Sequence, residues 1–179
     1  ESVAFDKAYG RYRLQGTLNE LHSGGLFNWR FARLRPKDLI TSWIRHLLLC
    51  DLKPVDSQYT SVLVCEDWTI EFRPVMQAAE LLQQLLDIRH TGLMHPPSWL
   101  IESAFRDFLN QDPPPPDSSG AAIKIKRQED IDRELAQATQ IVWRGLTPDA
   151  NDIHELSTQV FGPLFDHAAM TSASADSAS

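Results

Sequence analysis

The sequence contains only two cysteines in 179 residues. This scarcity argues against a fold held together by disulfides and against a zinc-binding domain. Cys50 and Cys65 each lie in an apolar run, where a free thiol behaves as a small hydrophobic side chain. No cysteine and histidine have the close spacing of a zinc-ligand set. We therefore predict two reduced, buried thiols, and expect neither a disulfide-held fold nor a bound metal or other cofactor.

The chain also lacks long apolar runs and an excess of positive charge. Its apolar runs are far shorter than the ~20 residues of a membrane-spanning helix, so no membrane association is predicted and a cytoplasmic location is expected. The opening residues ESVAFDKAYG include neither Met nor a signal peptide, which suggests a piece of a longer protein. The formal net charge of -7 argues against a freestanding nucleic-acid-binding protein but leaves room for a local basic strip.

The composition predicts one globular domain over residues 1–170. Hydrophobic residues make up 42% of the chain and charged residues 23%, which is typical of a protein with one core. Four consecutive prolines within residues 110–122 predict a flexible loop, and the Ser/Ala-rich residues 171–179 predict a disordered tail.

Hydrophobic periodicity predicts a mixed α/β fold with a small sheet of about four or five strands flanked by helices. One predicted hairpin joins residues 11–19 to 26–33 through the turn at 22–25, and a second joins 60–65 to 68–73. Helical spacing predicts helices from Pro36 to about residue 52, from Pro74 to about Arg89, over 98–109, over 128–143 and over 153–165.

The first hairpin and the helix after it have the layout of a nuclease core of the PD-(D/E)XK type. Such a core holds Mg²⁺ with at least two carboxylates and places a lysine nearby. The corresponding positions here are Asn19, Arg30 and Ala32, which supply no carboxylate. By alternation Glu20 points to the opposite face of its strand. The sequence therefore predicts a site that binds no metal and catalyses no reaction.

Other chemical candidates are weaker. The acid-x-Lys match at Asp51-Leu52-Lys53 follows a helix and is interpreted as a helix end. His46 and His167 are predicted to be packed or helix-end histidines. No serine lies in a nucleophile motif and no glycine-rich phosphate loop is present, so no small-molecule substrate is expected.

The best functional candidate is a basic strip that consists of Arg30, Arg33, Arg35 and Lys37. Its residues could contact DNA phosphates or an acidic partner surface. Alternatively, Arg35 and Lys37 are solvated charges at a helix start. Arg30 would then pair with an internal acid such as Glu20 or Glu71. The five tryptophans lie in apolar patterns and are predicted to be mostly core, with one or two at an interface.

Three segments, RFARLRPKDLITSWIRHLLL, WTIEFRPVMQAAELLQQLLDIRHTGL and IVWRG…FGPLFDH, resemble the C-terminal domain of the exodeoxyribonuclease V gamma subunit, RecC. The similarity runs with gaps from about Tyr12 to His167. It implies a degenerate PD-(D/E)XK fold and a non-catalytic part of the three-subunit RecBCD helicase–nuclease. That complex processes double-stranded DNA ends for recombinational repair.

The resemblance further implies contact with the RecD subunit, assembly with RecB, and a contribution to splitting the duplex. It assigns no catalytic residue. Two alternatives stay open at this point. One is a weakly active metal-dependent nuclease that uses Glu20 or Asp51, and the other is a generic protein-interaction module.

Overall fold

A computed structural model of the protein describes residues 1–53, 59–94, 101–111 and 150–173, together with Arg133. This part of the chain is a mixed α/β fold, as predicted, and it contains seven strands and four helices. The strands are β1 Val3–Tyr9, β2 Tyr12–Leu18, β3 Leu21–His22, β4 Gly25–Trp29, β5 Ser61–Val64, β6 Trp68–Phe72 and β7 Ala168–Ser172. The helices are α1 Pro36–Leu52, α2 Ala78–Met94, α3 Ile101–Gln111 and α4 Ala150–Asp166.

Five strands form one mixed sheet in the order β3-β4-β5-β6-β7, while β1 and β2 form a separate two-stranded sheet. Strand β4 is parallel to β5, and the other pairs in the larger sheet are antiparallel. Parallel neighbours require a crossover connection, and α1 lies in the connection from β4 to β5. The predicted second hairpin is confirmed as β5 and β6, which are joined through Glu66 and Asp67.

The predicted pairing of the first hairpin is wrong. Strand β2 pairs with β1 through a two-residue turn, in which Gly10 has a φ of 57°. The antiparallel partner of β4 is instead the short β3, across the turn at Ser23 and Gly24. The chain changes direction between β2 and β3 at Glu20, which adopts a left-handed φ of 65°. The alternation in β1 was missed because Lys7 interrupts the inner apolar row, while Ala4 and Ala8 lie on the exposed face.

The second predicted strand also ends earlier than expected. Strand β4 stops at Trp29, so Arg30 and Ala32 lie in the loop that leads to α1. The Arg30 amide still donates to the Val64 carbonyl at 2.9 Å, but the Ala32 amide turns back to the Arg30 carbonyl at 2.9 Å. This tight turn takes the chain away from the sheet before a longer strand can form.

Several predicted boundaries shift by a few residues. Helix α1 begins at Pro36 as predicted, whereas α2 begins at Ala78 and continues past Arg89 to Met94. Helix α3 includes two residues that were assigned to the loop at 110–122. Residues 171 and 172 belong to β7 rather than to the tail, and the Ser172 side chain is buried. The rest of that loop, the predicted helix at 128–143 apart from Arg133, and residues 174–179 lie outside the described residues.

One cluster of buried side chains joins the helices to one face of the larger sheet. Burial of apolar area of this extent is the main driving force for folding. Both cysteines are free thiols, with Cys65 buried and Cys50 half-buried, and burial raises the pKa of Cys65 to about 11. None of the described helices combines the length and apolar character needed to cross a bilayer. The cluster includes Leu39, Trp43, Leu47, Leu63, Ile70, Phe72, Leu82, Phe105, Phe108, Phe161 and Leu164.

His46 is a packed histidine, as predicted, and connects three elements inside this core. Its Nε2 donates to the Arg73 carbonyl at 2.9 Å, which leaves Nδ1 to accept from the Ser61 hydroxyl at 2.8 Å. The ring packs against those of Trp43 and Phe72 at centroid distances of 5.8 Å and 5.6 Å. Burial lowers the pKa of His46 from its ordinary 6.5 to about 4, because the charged imidazolium is disfavoured there.

We expect His46 to destabilise the fold in mild acid. Below pH 6.5 the unfolded chain binds a proton that the folded chain excludes, so stability should fall as the pH drops from 6.5 toward 4. The contribution of His46 should be a loss of about 2 kcal/mol between pH 7 and pH 5, measured by urea unfolding. His46→Gln should remove this part of the pH dependence, whereas His22→Gln, at an exposed histidine, should retain it. Equal pH dependence in both variants would contradict the assignment.

Gly25 provides a second test of the fold, at the start of β4. A Cβ atom at this position would lie 2.0 Å from the Thr60 carbonyl oxygen, and Gly25 has a φ of 145°. We therefore expect Gly25→Ala to destabilise the fold by about 3 kcal/mol, because the start of β4 would have to move away from β5. Gly24→Ala is the matched control, since no atom lies within 4 Å of the added carbon. Similar melting temperatures for the two variants would show that the fold does not require the close approach of Gly25 to Thr60.

Candidate functional site

The candidate site lies where the ends of β2 and β4 meet helix α1, and Arg45 is at its centre. Arg45 Nη1 donates to Asn28 Oδ1 at 2.8 Å and lies 2.9 Å from Glu20 Oε2. Its Nη2 donates to the Asn19 backbone carbonyl at 2.7 Å. We call Asn19, Glu20, Asn28 and Arg45 the guanidinium cluster. The cluster thus joins a carboxylate, an amide oxygen and a peptide oxygen around one cation.

Oxygen donors of these three types are also those that divalent ions prefer in proteins. Here they receive hydrogen bonds from an arginine whose side chain is only 28% exposed. Asn19 contributes its backbone carbonyl rather than its side chain. Among the described residues, no three His, Cys, Asp or Glu side chains are placed to hold a metal ion together. Chemically, the cluster fixes a cation of the protein itself between two strand ends and a helix.

Two members of this cluster were missed by reasoning from the sequence. The residues assigned to the acid and lysine positions were Arg30 and Ala32, but the strand has already ended before them. Asn28 and Arg30 have the same two-residue spacing as Arg30 and Ala32. In the structure Asn28 is the residue that contacts Arg45. The alternation of Leu26, Asn28 and Arg30 was a usable signal for this register. Nothing in the sequence indicated Arg45, which lies 17 residues beyond Asn28 and meets it only through the fold.

The basic strip divides into two pairs of different character. Arg30 and Arg35 both contact Asp38 Oδ2, the latter at 3.0 Å, so one carboxylate neutralises part of their charge. Arg30 therefore has a different acidic partner from the expected Glu20 or Glu71. Arg33 and Lys37 are exposed, and neither forms an ion pair within the described part of the chain. The freely available positive charge of the strip is thus that of Arg33 and Lys37.

Asp51, the other acidic candidate, has a structural role. Its side chain is only 10% exposed, accepts a hydrogen bond from the Tyr9 hydroxyl and lies 2.7 Å from Lys7 Nζ. Burial, followed by the contact with this carboxylate, raises the pKa of Tyr9 well above its ordinary value. These contacts fasten β1 to the end of α1. On α2, Asp87 accepts a hydrogen bond from the Tyr12 hydroxyl at 2.7 Å and fastens β2 in the same way.

The three tryptophans within the described residues divide between core and surface, and the prediction that one or two lie at an interface stays a prediction. Trp43 and Trp68 are buried, whereas Trp29 is 61% exposed. Trp99 and Trp143 lie outside the described residues. Trp29 also forms an edge-to-face pair with Phe31, with ring centroids 4.6 Å apart, so the exposed tryptophan belongs to a larger aromatic surface.

The fold and the site define a mixed α/β domain with an arginine-centred cluster at its strand ends. The family described as the RecC C-terminal domain matches residues 1–111, which is more than half of the sequence, and the chain belongs to this family. The predicted resemblance is thereby confirmed. The RecBCD enzyme subunit RecC of Buchnera aphidicola subsp. Schizaphis graminum (strain Sg) is 33% identical over 48 residues. This alignment covers 27% of the chain but only 4% of that relative's length.

Arg45 should stabilise the fold through this cluster. We expect Arg45→Met to lower the free energy of unfolding by about 1.5 kcal/mol, because it leaves the partly buried Asn28 amide and the Asn19 carbonyl without their donor. The control is Arg11→Met, which removes an exposed ion pair with Asp87 at 3.4 Å and should match the wild type. Urea unfolding measures both. An Arg45 variant as stable as the control would show that the cluster is replaceable by water.

Proposed function

We propose that this domain is a non-catalytic structural part of a RecBCD helicase–nuclease complex that processes double-stranded DNA ends in recombinational repair. Membership of the RecC C-terminal domain family supports this proposal, as does similarity to a protein named as the RecC subunit of the RecBCD enzyme. In this proposal the domain contacts RecD, assembles with RecB, helps to split the duplex and works in the cytoplasm.

The guanidinium cluster is the observation that carries the non-catalytic assignment. A PD-(D/E)XK nuclease needs a divalent ion held by at least two carboxylates. Within the guanidinium cluster only Glu20 carries a carboxylate, and Arg45 already donates to the oxygens around it. A divalent ion would have to displace a positively charged side chain and would recover only one negative charge. We therefore propose a degenerate PD-(D/E)XK core in which a fixed arginine has replaced the metal.

The enzyme alternative relied on Glu20 or Asp51. Glu20 is paired with Arg45, and the Asp51 carboxylate is bound by Lys7 and Tyr9. Both acids thus have structural partners that any catalytic metal would first have to displace. These contacts favour the non-catalytic assignment over the weakly active nuclease.

Contact with DNA phosphates or with an acidic surface of another subunit is proposed for the basic strip. Arg33 and Lys37 are the stronger candidates because they are exposed and unpaired among the described residues. The contributions of Arg30 and Arg35 are reduced by their shared partner Asp38. Because the chain has a net charge of -7, contact with DNA would depend on basic surfaces supplied by other subunits.

The assembly role predicts that the purified chain captures RecD, RecB or a preformed RecB–RecD pair in a pull-down. The captured subunit should remain bound in moderate salt if the interface is largely apolar. Failure to retain either subunit, under conditions where a full-length RecC succeeds, would remove the assigned role. Mg²⁺-dependent DNA cutting by the same preparation, abolished by Glu20→Ala, would instead favour the enzyme alternative.

A further inference from the structure

One face of the five-stranded sheet is open to solvent at its β4 end. The strand registers place two rows of side chains on this face, because residues directly paired across a ladder project to the same side. The opposite face carries buried residues such as Leu63, Ile70 and Phe72 and packs against the helices. The two rows are Phe27–Val62–Glu71–Ala169 and Trp29–Val64–Thr69–Thr171.

The β4 end of this face is aromatic. Phe27 is 44% exposed, Trp29 61% and Phe31 85%, and Trp29 packs edge-to-face on Phe31. The neighbouring Val62 and Val64 are half-buried and extend the apolar surface onto β5. We call Phe27, Trp29 and Phe31 the aromatic row. Contiguous apolar surface of this kind is uncommon on monomeric proteins and marks contact sites.

The charged residues that follow the aromatic row along the chain favour a protein over a nucleic acid as its occupant. Arg33 and Lys37 follow the row along the chain and are exposed, whereas Arg30 and Arg35 share the carboxylate of Asp38. Arg33 and Lys37, on a chain of net charge -7, provide a weak grip on a phosphate backbone, which proteins normally track with many basic residues. A protein surface needs only an apolar centre and one or two carboxylates at its rim to match this arrangement.

We propose that the aromatic row anchors an interface with another protein, whose surface has an aliphatic centre and acidic residues facing Arg33 and Lys37. This inference rests on the proposed function, in which that partner is another subunit of the complex. Trp29 is the expected hot spot, because a large aromatic side chain that becomes fully desolvated usually dominates an interface. Glu71, exposed on the β6 side of the same face, would meet a basic or polar group of the partner.

The test measures the affinity of the intact chain for purified RecD and for purified RecB, each with wild-type and variant chains. Trp29→Ala should weaken binding to one subunit by about 30-fold, and Trp29→Ala with Phe31→Ala should weaken it further. Met76→Ala is the matched control, since Met76 is an apolar side chain that is 80% exposed outside the aromatic row. Both sets of variants should keep the wild-type melting temperature. Arg33→Glu should also weaken binding, with a smaller salt dependence than the wild type.

The possible outcomes separate the inference from the proposed function. If the wild-type chain binds a subunit and Trp29→Ala binds it equally well, the aromatic row is not the interface and the assembly role stands. If the wild-type chain binds neither subunit, both the inference and the assembly role are overturned.

Two further measurements identify a different occupant. Trp29-dependent binding of single-stranded oligothymidylate without Trp29-dependent subunit binding would show a nucleic-acid platform, and Trp29-dependent dimerisation in sedimentation would show a second copy of the chain. Either result would overturn the inference.

Discussion

The parallel pairing of β4 with β5 is the constraint on which the rest of this structure depends. It requires the chain to cross the sheet between these strands, and α1 makes that crossing. Asp38 and Arg45 lie two helical turns apart on α1 and so share one of its sides. Asp38 binds Arg30 and Arg45 binds Asn28, which fixes α1 along the helix-facing side of β4. The same placement leaves the opposite side of β4, with its aromatic residues, uncovered.

Elements with a strong local signal could be predicted from the sequence. Helix α1 has Pro36 at its start and a broad apolar face, and the β5–β6 hairpin has alternating apolar residues on both sides of a polar turn. The pairing of β2 could not be predicted, because the choice between β1 and β4 as its partner depends on contacts outside the strand. Strand β7, with the sequence AAMTS, has neither alternation nor bulky side chains, so no local pattern distinguished it from the tail.

Only part of the candidate site could be predicted from the sequence. The absence of paired carboxylates could be read from the sequence, and three sequence segments indicated the family that the comparisons support. The cation that takes their place could not be predicted, because Arg45 lies on a helix with an otherwise ordinary apolar pattern. Alternation showed that Phe27 and Trp29 share one face of β4. It could not show which face the helix would cover, and the burial of Leu26 settles that question.

The last strand of the sheet has a consequence for how this domain can vary in length. Strand β7 pairs along β6 from Phe72 with Ala168 to Trp68 with Ser172, so the two ends of a long stretch of sequence are held side by side. The entropy lost when the ends of a flexible connection are brought together grows only with the logarithm of its length. Each doubling of the length costs about 0.6 kcal/mol. Insertions within that stretch that leave α2, α3 and α4 intact should therefore cost the sheet little. The domain can accept new sequence there and keep both its arginine-centred cluster and its aromatic surface in place.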